Sequence, residues 1–457
     1  MAGRATPPEP SGLAGEAAQL TCLTRHFFGR LFRNETVDFE DQMKERLIAT
    51  LSVLAIIVFW ATELLLFKYH FVPDTNISWQ EKLYLYALVM IIFGIVTLLE
   101  WDVLFPDRQD FLNLTPLPIR LRTLFLGKLA SFVLFVSLFS AAMNCGAGVL
   151  FSVYLTPWRA EGNLLFAAWY VVSHLLASLA ACFFVFFACI FLQFLLMAVL
   201  PRFLYRTAAL LVRGALLAIL IFFLLAFLIE PGILDRSFQS LTALKAVHDP
   251  FFLRFPPFWF VGLFETLLGT ADPMFAAGAR MALWAVVFSL AAFGAASGLS
   301  YVRHVRRTLE AERTRVPLSG LREKLSGLFR RLALRTPEER AVYPFFSKSL
   351  RTSPKHRSAM NAYLAIAAGV VLLFLISNRD GLRGLTPANR PLLAQPFVFA
   401  LVVLVGLRSL VNIPVSPAAN WVFEATETGR PARYAAAARK AVFFRWLVPL
   451  AVLVFAV

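Results

Sequence analysis

Hydrophobic and polar positions along this chain separate into long blocks instead of alternating finely. A helix needs about 20 mostly apolar residues to cross about 30 Å of hydrocarbon. Nine blocks approach that length: 47–67, 83–99, 129–153, 164–200, 215–229, 281–302, 359–376, 397–410 and 442–457, with Thr207 an alternative start for the fifth. They predict an all-α fold, a polytopic helical bundle of about nine membrane spans. The fourth block, about 36 residues, is too long for one upright helix. Strong tilt, an outward extension and a hidden second crossing all remain open for it. The ninth stops after 16 residues and contains Arg445, so it reads as a span cut short in a protein that naturally continues.

Between the blocks the polar segments have characters of their own. Leu20, Leu23, Phe27, Phe28, Leu31 and Phe32 share one helical face, with Arg25, Arg30 and Arg33 elsewhere. That pattern predicts a basic amphipathic helix lying in the membrane interface. The connection 101–128 is broken by Pro106, Pro116 and Pro118, then shows Leu121, Leu124 and Phe125 at helical spacing beside Arg120, Arg122 and Lys128. It forms either short helices that present Asp107, Arg108 and Asp110 to a partner or a connector anchored at the headgroups. Residues 230–275 are aromatic and interrupted by five prolines, which predicts a re-entrant or interfacial element, with Phe258, Trp259 and Phe260 at the headgroup boundary. Segment 303–358 carries 15 Lys and Arg against five acids and an amphipathic stripe from Leu318 to Leu332.

Composition fits this pattern: 59% of residues are hydrophobic and 16% charged, against about 25% charged in soluble domains, which excludes an ordinary soluble enzyme and a disordered chain. The net charge of +16 would raise nucleic acid as a partner in a soluble protein, but basic cytoplasmic loops account for it here. With the N-terminus placed in the cytoplasm, cytoplasmic segments hold 34 of the 44 Lys and Arg and external ones 10, the sense the positive-inside rule requires. No apolar leader precedes the first span, which therefore acts as its own signal. Only nine of the 44 are Lys, a bias typical of GC-rich bacterial genomes.

Chemistry is sparse at the level of motif. There is no GxxxxGK[ST], HExxH or GxSxG sequence, and Cys22, Cys145, Cys182 and Cys189 lack metal or redox spacing, so they read as packing residues. No catalytic residue, metal site or bound cofactor is expected of the chain itself. Ionisable groups inside spans cost about 2.5–3.5 kcal/mol on insertion scales and so mark candidates. Glu63 is the foremost, while Glu100, Arg213, Arg280, Arg408 and Arg445 near span ends read as anchors. His174 and Gln193 read as interhelical hydrogen-bonding groups. Gly294 and Gly298 form a GxxxG that favours close helix packing.

The order is an amphipathic helix, two spans, an elaborate connection, three spans, an external inserted element and a sixth span. It resembles the membrane subunit of exporter-type ABC transporters, the type-2 permease family, over about residues 20–303. The Leu117-Pro118-Ile119 string, with Lys128 at the mouth of the next span, looks like that family's local pattern. The resemblance implies a segment, Asp107 to Lys128, that couples to a separate ATPase, and Asp107, Arg108, Asp110, Leu117, Pro118, Arg120, Arg122 and Lys128 are its residues here. It divides the chain into a tail (1–47), a six-span permease-like domain (48–303), a basic linker (304–358) and three further spans (359–457) that could begin a second half-unit. In the last part, Trp421, Phe423, Glu424 and Arg430 would make a second cytoplasmic contact. The function implied is ATP-driven export across the bacterial inner membrane by a dimeric or pseudo-dimeric assembly, with ATP and Mg held by the partner. Two other readings stand beside it. An integral-membrane enzyme acting on a lipid-linked substrate would need His, Asp or Glu clustered at one membrane depth, and a non-transporting assembly or sensor protein would use 303–358 as its partner surface.

Overall fold

The computed structural model describes residues 13–32, 40–67, 78–101, 119–229, 253–309, 334, 336–377, 390–411, 431–448 and 451–452. All regular structure among them is helical. In chain order the helices are α1 (Leu13–Phe32), α2 (Glu40–Leu66), α3 (Ser78–Leu99), α4 (Leu121–Ala160), α5 (Leu164–Val199) and α6 (Arg202–Ile229). They continue as α7 (Pro256–Leu267), α8 (Pro273–Leu309), α9 (Pro337–Thr352), α10 (Pro354–Ser377), α11 (Arg390–Val411) and α12 (Pro431–Val442), which runs into a π turn, Phe443–Leu447. Seven of the helices are long and apolar enough to cross a bilayer, and they match the first seven predicted blocks, with Thr207 as the start of the fifth. The chain is therefore a multi-pass membrane protein. The eighth block is a shorter apolar stretch, Ala394–Leu410, and the end of the ninth lies outside the described residues.

The fourth block is one unbroken helix of 36 residues, so a hidden second crossing is ruled out within it. Its length of about 54 Å exceeds the hydrocarbon by a wide margin. Helix α4 is longer still at 40 residues, because Leu121–Lys128, expected as part of a broken connection, continues straight into the span. Glu161 (φ 49°) and Gly162 (φ 78°) turn the chain between α4 and α5. Asn163 then caps α5, its Oδ1 accepting from the Leu165 and Phe166 amides at 2.9 and 3.4 Å.

The chain divides into two compact units, Met1–Ala198 with Leu234–Ser300, and Val199–Ile233 with Tyr301–Val457. In the first, α3 is central: 67% of its most apolar window is buried, against 11% for α2, whose Ile56, Trp60 and Leu64 face outward. Phenylalanines fill the space around α3. Phe93 meets Phe135 and Phe186 at 6.4 Å, Phe132 meets Phe186 at 5.4 Å, and Phe187 meets Phe293 at 5.2 Å, in tilted and edge-on arrangements that suit ring quadrupoles. Helix α1 does not lie with its apolar face toward lipid as expected. Leu23, Phe27 and Leu31 are buried, and α1 packs along α4, where Gly127 leaves room for Leu23: a Cβ there would stand 2.8 Å from Leu23 Cβ. Arg120 pairs with Glu16 in the first turn of α1. The apolar stripe is satisfied by protein because α4 projects far enough to receive it.

Helices α7 and α8 cross closely. A Cβ on Gly262 would stand 2.6 Å from the Phe275 carbonyl oxygen and 2.9 Å from Gly278 Cα. Gly294, by contrast, has nothing within 4 Å of a built Cβ, so the predicted GxxxG makes no close contact at its first glycine, and the side-chain surroundings of Gly298 are outside the described residues.

In the second unit, α10 packs on α6 and on α11, with Met360, Ala367, Val403, Leu407 and Leu410 forming a core. Gly406 admits the Tyr363 ring, and Gly369 lies against Ile221 and the Ala218 carbonyl. Helices α9 and α12 are clasped by two ion pairs, Arg433–Glu338 at 2.6 Å and Lys440–Glu339 at 2.7 Å. Arg213, expected as a headgroup anchor, is instead buried within this unit. Cys22 and Cys145 are exposed on their helices, so only Cys182 among the four is a fully buried packing residue.

Candidate functional site

Two pairs of polar residues at i, i+4 spacing, and hence on single helix faces, meet at the end of the first unit that holds the α4–α5 turn. Lys82 and Tyr86 lie near the start of α3, and Tyr170 and His174 near the start of α5. The Lys82 ammonium donates to His174 Nδ1 at 3.2 Å, and the Tyr86 hydroxyl reaches the same nitrogen at 3.2 Å. The ammonium also faces the rings of Phe151, Phe264 and Tyr170, with 3.7, 4.6 and 4.9 Å to their centroids. Gly148 on α4 makes space for the imidazole, since a Cβ there would stand 2.9 Å from His174 Cδ2. Lys82, Tyr86 and His174 are all fully buried.

An ammonium carries donors only, so Nδ1 accepts and the imidazole proton belongs on Nε2. Nε2 is buried and has no hydrogen-bond partner among the described residues, and the same is true of the Ser173 hydroxyl. No carboxylate among the described residues comes within ion-pair distance of Lys82. Dehydrating an ammonium costs several kcal/mol, while a desolvated cation–π contact returns about 2 kcal/mol. Three rings and one imidazole are the groups that face the Lys82 nitrogen in place of a carboxylate.

The carboxylate of the site is one step away, on α7. Glu265 is 1% exposed and accepts from Arg159 Nη2 at 3.3 Å on both oxygens and from Thr270 Oγ1 at 2.7 Å. The Thr270 amide donates to the Glu265 carbonyl at 3.0 Å, and Trp169 Nε1 donates to the Leu267 carbonyl at 2.9 Å. The last turn of α7 is therefore tied by polar contacts to α4 through Arg159 and to α5 through Trp169. Phe264, next to Glu265, closes over Lys82.

No family model, curated protein or solved structure matches the chain. Its function must be argued from this geometry and from the layout of the spans.

Asp107, Arg108, Asp110, Leu117 and Pro118 lie outside the described residues, as do Trp421, Phe423, Glu424 and Arg430. Arg120 and Arg122 are exposed at the start of α4, and Lys128 is half-buried with its ammonium 5.6 Å from the Phe132 ring centroid. Glu63 accepts from the Tyr154 hydroxyl at 3.3 Å, a bond between α2 and α4. Gln193 donates to the Trp101 carbonyl at 3.2 Å, a bond from α5 to the turn just past the end of α3, where the sequence predicts a partner on another helix. His174 does bond between helices as expected, but within a charged cluster that motif reading did not reach.

Three members of that cluster were assigned elsewhere by the sequence. The block boundaries place Lys82 in the external segment 68–82 and Arg159 in 154–163, whereas both sit inside helices, Lys82 with no exposure. Glu265 fell within an interfacial element, and Phe258 and Phe260 beside it were expected at the headgroups. Both rings are buried in protein instead. The i, i+4 pairs Lys82/Tyr86 and Tyr170/His174 were the available signal, because each marks a polar stripe on an otherwise apolar helix.

Proposed function

We propose that the chain is the membrane-spanning permease subunit of an ATP-driven exporter in a bacterial inner membrane. It docks a separate ATPase, which holds ATP and Mg, through the cytoplasmic segment Asp107 to Lys128, and it has its N-terminus in the cytoplasm. The observation that carries this reading is α4. At 40 residues it measures about 60 Å, twice the hydrocarbon thickness. It runs without a break from Arg120, held by α1 at the edge of the connection, to Arg159, which holds α7 at the other end. A displacement imposed on the connection is delivered by this rod to the latch on α7, the mechanical link that alternating access needs.

The order in the second unit supports a half-unit reading for 359–457. An amphipathic helix (α9), two apolar helices (α10, α11), a connection and a helix with a basic start (α12) repeat the order α1 to α4. In both cases an acid in the first turn of the amphipathic helix pairs with a base at the start of the last helix. A second cytoplasmic contact then falls on 412–430, around Trp421, Phe423, Glu424 and Arg430.

A second reading gains from the buried cluster. An integral-membrane enzyme needs titratable groups gathered at one depth, and Lys82, His174 and Glu265 meet that need. The discriminating experiment is an affinity pull-down of the full chain in mild detergent from its native membrane. A stoichiometric Walker-type ATPase is expected, and the triple change Asp107→Ala, Arg108→Ala and Asp110→Ala should abolish its recovery while membrane insertion is unchanged. Recovery that survives the triple change refutes the coupling assignment, and the absence of any ATPase favours the enzyme.

A further inference from the structure

The cluster beneath α7 has an uneven distribution of charge between α7 and the three long helices around it. Lys82 is on α3, Arg159 on α4 and His174 on α5, three long helices of the first unit, whereas Glu265 is on the 12-residue α7. If α7 lifts, the carboxylate leaves with it. What stays behind is a buried lysine with no ion-pair partner among the described residues, a guanidinium stripped of its own, a tyrosine hydroxyl and an imidazole. Glu81 and Tyr170 also remain: Glu81 is buried about 100° around α3 from Lys82, on the side of Tyr170, so a second carboxylate stays at the edge of the cluster. The Arg159–Glu265 contact is also loose for its type. A single guanidinium nitrogen spans both oxygens at 3.3 Å, where a charge-assisted bond is ordinarily 2.7–2.9 Å.

We propose that Lys82 and Arg159, with Tyr86 and His174, form a binding site for an oxyanion, and that Glu265 is the tethered occupant which keeps the site closed. The ligand is an organic phosphate or carboxylate whose oxygens replace those of Glu265 against Arg159 and reach the Lys82 nitrogen, which no carboxylate among the described residues pairs. Its apolar part meets Phe151, Phe264 and Tyr170, the rings that now cover the ammonium. The cargo is then an anionic amphiphile, an inference that rests on the transport reading. Displacement of Glu265 by the cargo is then the event that frees α7. A water-soluble phosphate and a lipid headgroup share the recognised chemistry.

The test uses the full-length chain alone, in phosphatidylcholine nanodiscs, with calorimetric titration by inorganic phosphate and by dihexanoyl phosphatidic acid. Glu265→Gln keeps the shape of the occupant and removes its charge. It should bind at least one probe about tenfold more tightly than the wild type, the effect of one charge-assisted contact. Adding Lys82→Met, which fills the aromatic box with an apolar chain of similar length, should abolish that gain. Arg159→Gln releases α7 but leaves Glu265 charged, and it should bind neither probe. Thr270→Val, which loosens Glu265 and keeps every charge, should give a smaller gain of about threefold and serves if Glu265→Gln fails to fold. Binding of phosphatidic acid alone identifies a lipid headgroup, and binding of both probes a free oxyanion. The proposal is overturned if neither Glu265→Gln nor Thr270→Val improves binding, if Lys82→Met leaves the gain intact, or if Arg159→Gln binds as Glu265→Gln does. No ATPase takes part, so the pull-down and this titration fail independently.

Discussion

Arg159→Gln is the most informative single change to stability, because the structure sets unequal consequences for the two halves of one ion pair. At 3.3 Å and an effective dielectric constant of about 20, the pair attracts with about 5 kcal/mol before desolvation is subtracted. The Glu265 side chain is 1% exposed and that of Arg159 21%. Removing the arginine strands a buried carboxylate on the Thr270 hydroxyl alone, which should cost about 3 kcal/mol. Removing the glutamate charge instead leaves Arg159 able to turn toward water, and the Gln carbonyl still accepts from Thr270. Glu265→Gln should therefore cost only about 1 kcal/mol. The double change should cost less than the sum, with a coupling of about 2 kcal/mol. Reversible unfolding of the purified chain in mixed micelles by sodium dodecyl sulfate measures all four corners of the cycle. Both single variants within about 0.5 kcal/mol of wild type, or a cycle that closes to zero, would refute the claim that this pair latches α7.

Two further outcomes follow from the packing and from the α9–α12 clasp. Gly262→Ala places a methyl group against the Phe275 carbonyl and Gly278 and should destabilise by about 2–3 kcal/mol, whereas Gly294→Ala meets nothing and should be neutral or stabilising by up to about 1 kcal/mol; the same unfolding assay compares them, and equal effects would refute the assigned crossing. The Glu338 carboxyl is held below the usual glutamate range by a backbone hydrogen bond first and by Arg433 second. A depressed carboxyl contributes stability that is full above its unfolded value, about 4.3, and is lost as pH falls through the lower folded value. Amide exchange protection of α9 should therefore be flat from neutral pH to about 5 and fall in more acid solution, with Glu338→Gln removing the part of that fall due to this group; an unaltered pH profile in the variant would refute the assignment.

What the sequence determined by itself is the membrane character of the chain, the place of its long helices and the amphipathic nature of α1. Each of these is local. The hydrocarbon demands a stretch of fixed apolar length, and the helix repeat puts i and i+4 on one face, so block length and spacing suffice to read them. The tertiary structure decided what those faces meet. Leu23 and Phe27 form an apolar stripe that lipid and protein would satisfy equally well, and only the projection of α4 beyond the span gives the stripe to Gly127 and its neighbours. Lys82 looks like a loop cation when counted along the chain. It is a buried charge because His174 is 92 residues later, with Phe151 and Phe264 on two further helices. The Arg159–Glu265 pair likewise joins positions 106 apart. No periodicity encodes such meetings, because burial of a charge is decided by the partners that replace its water, and those partners come from helices that the local pattern cannot pair.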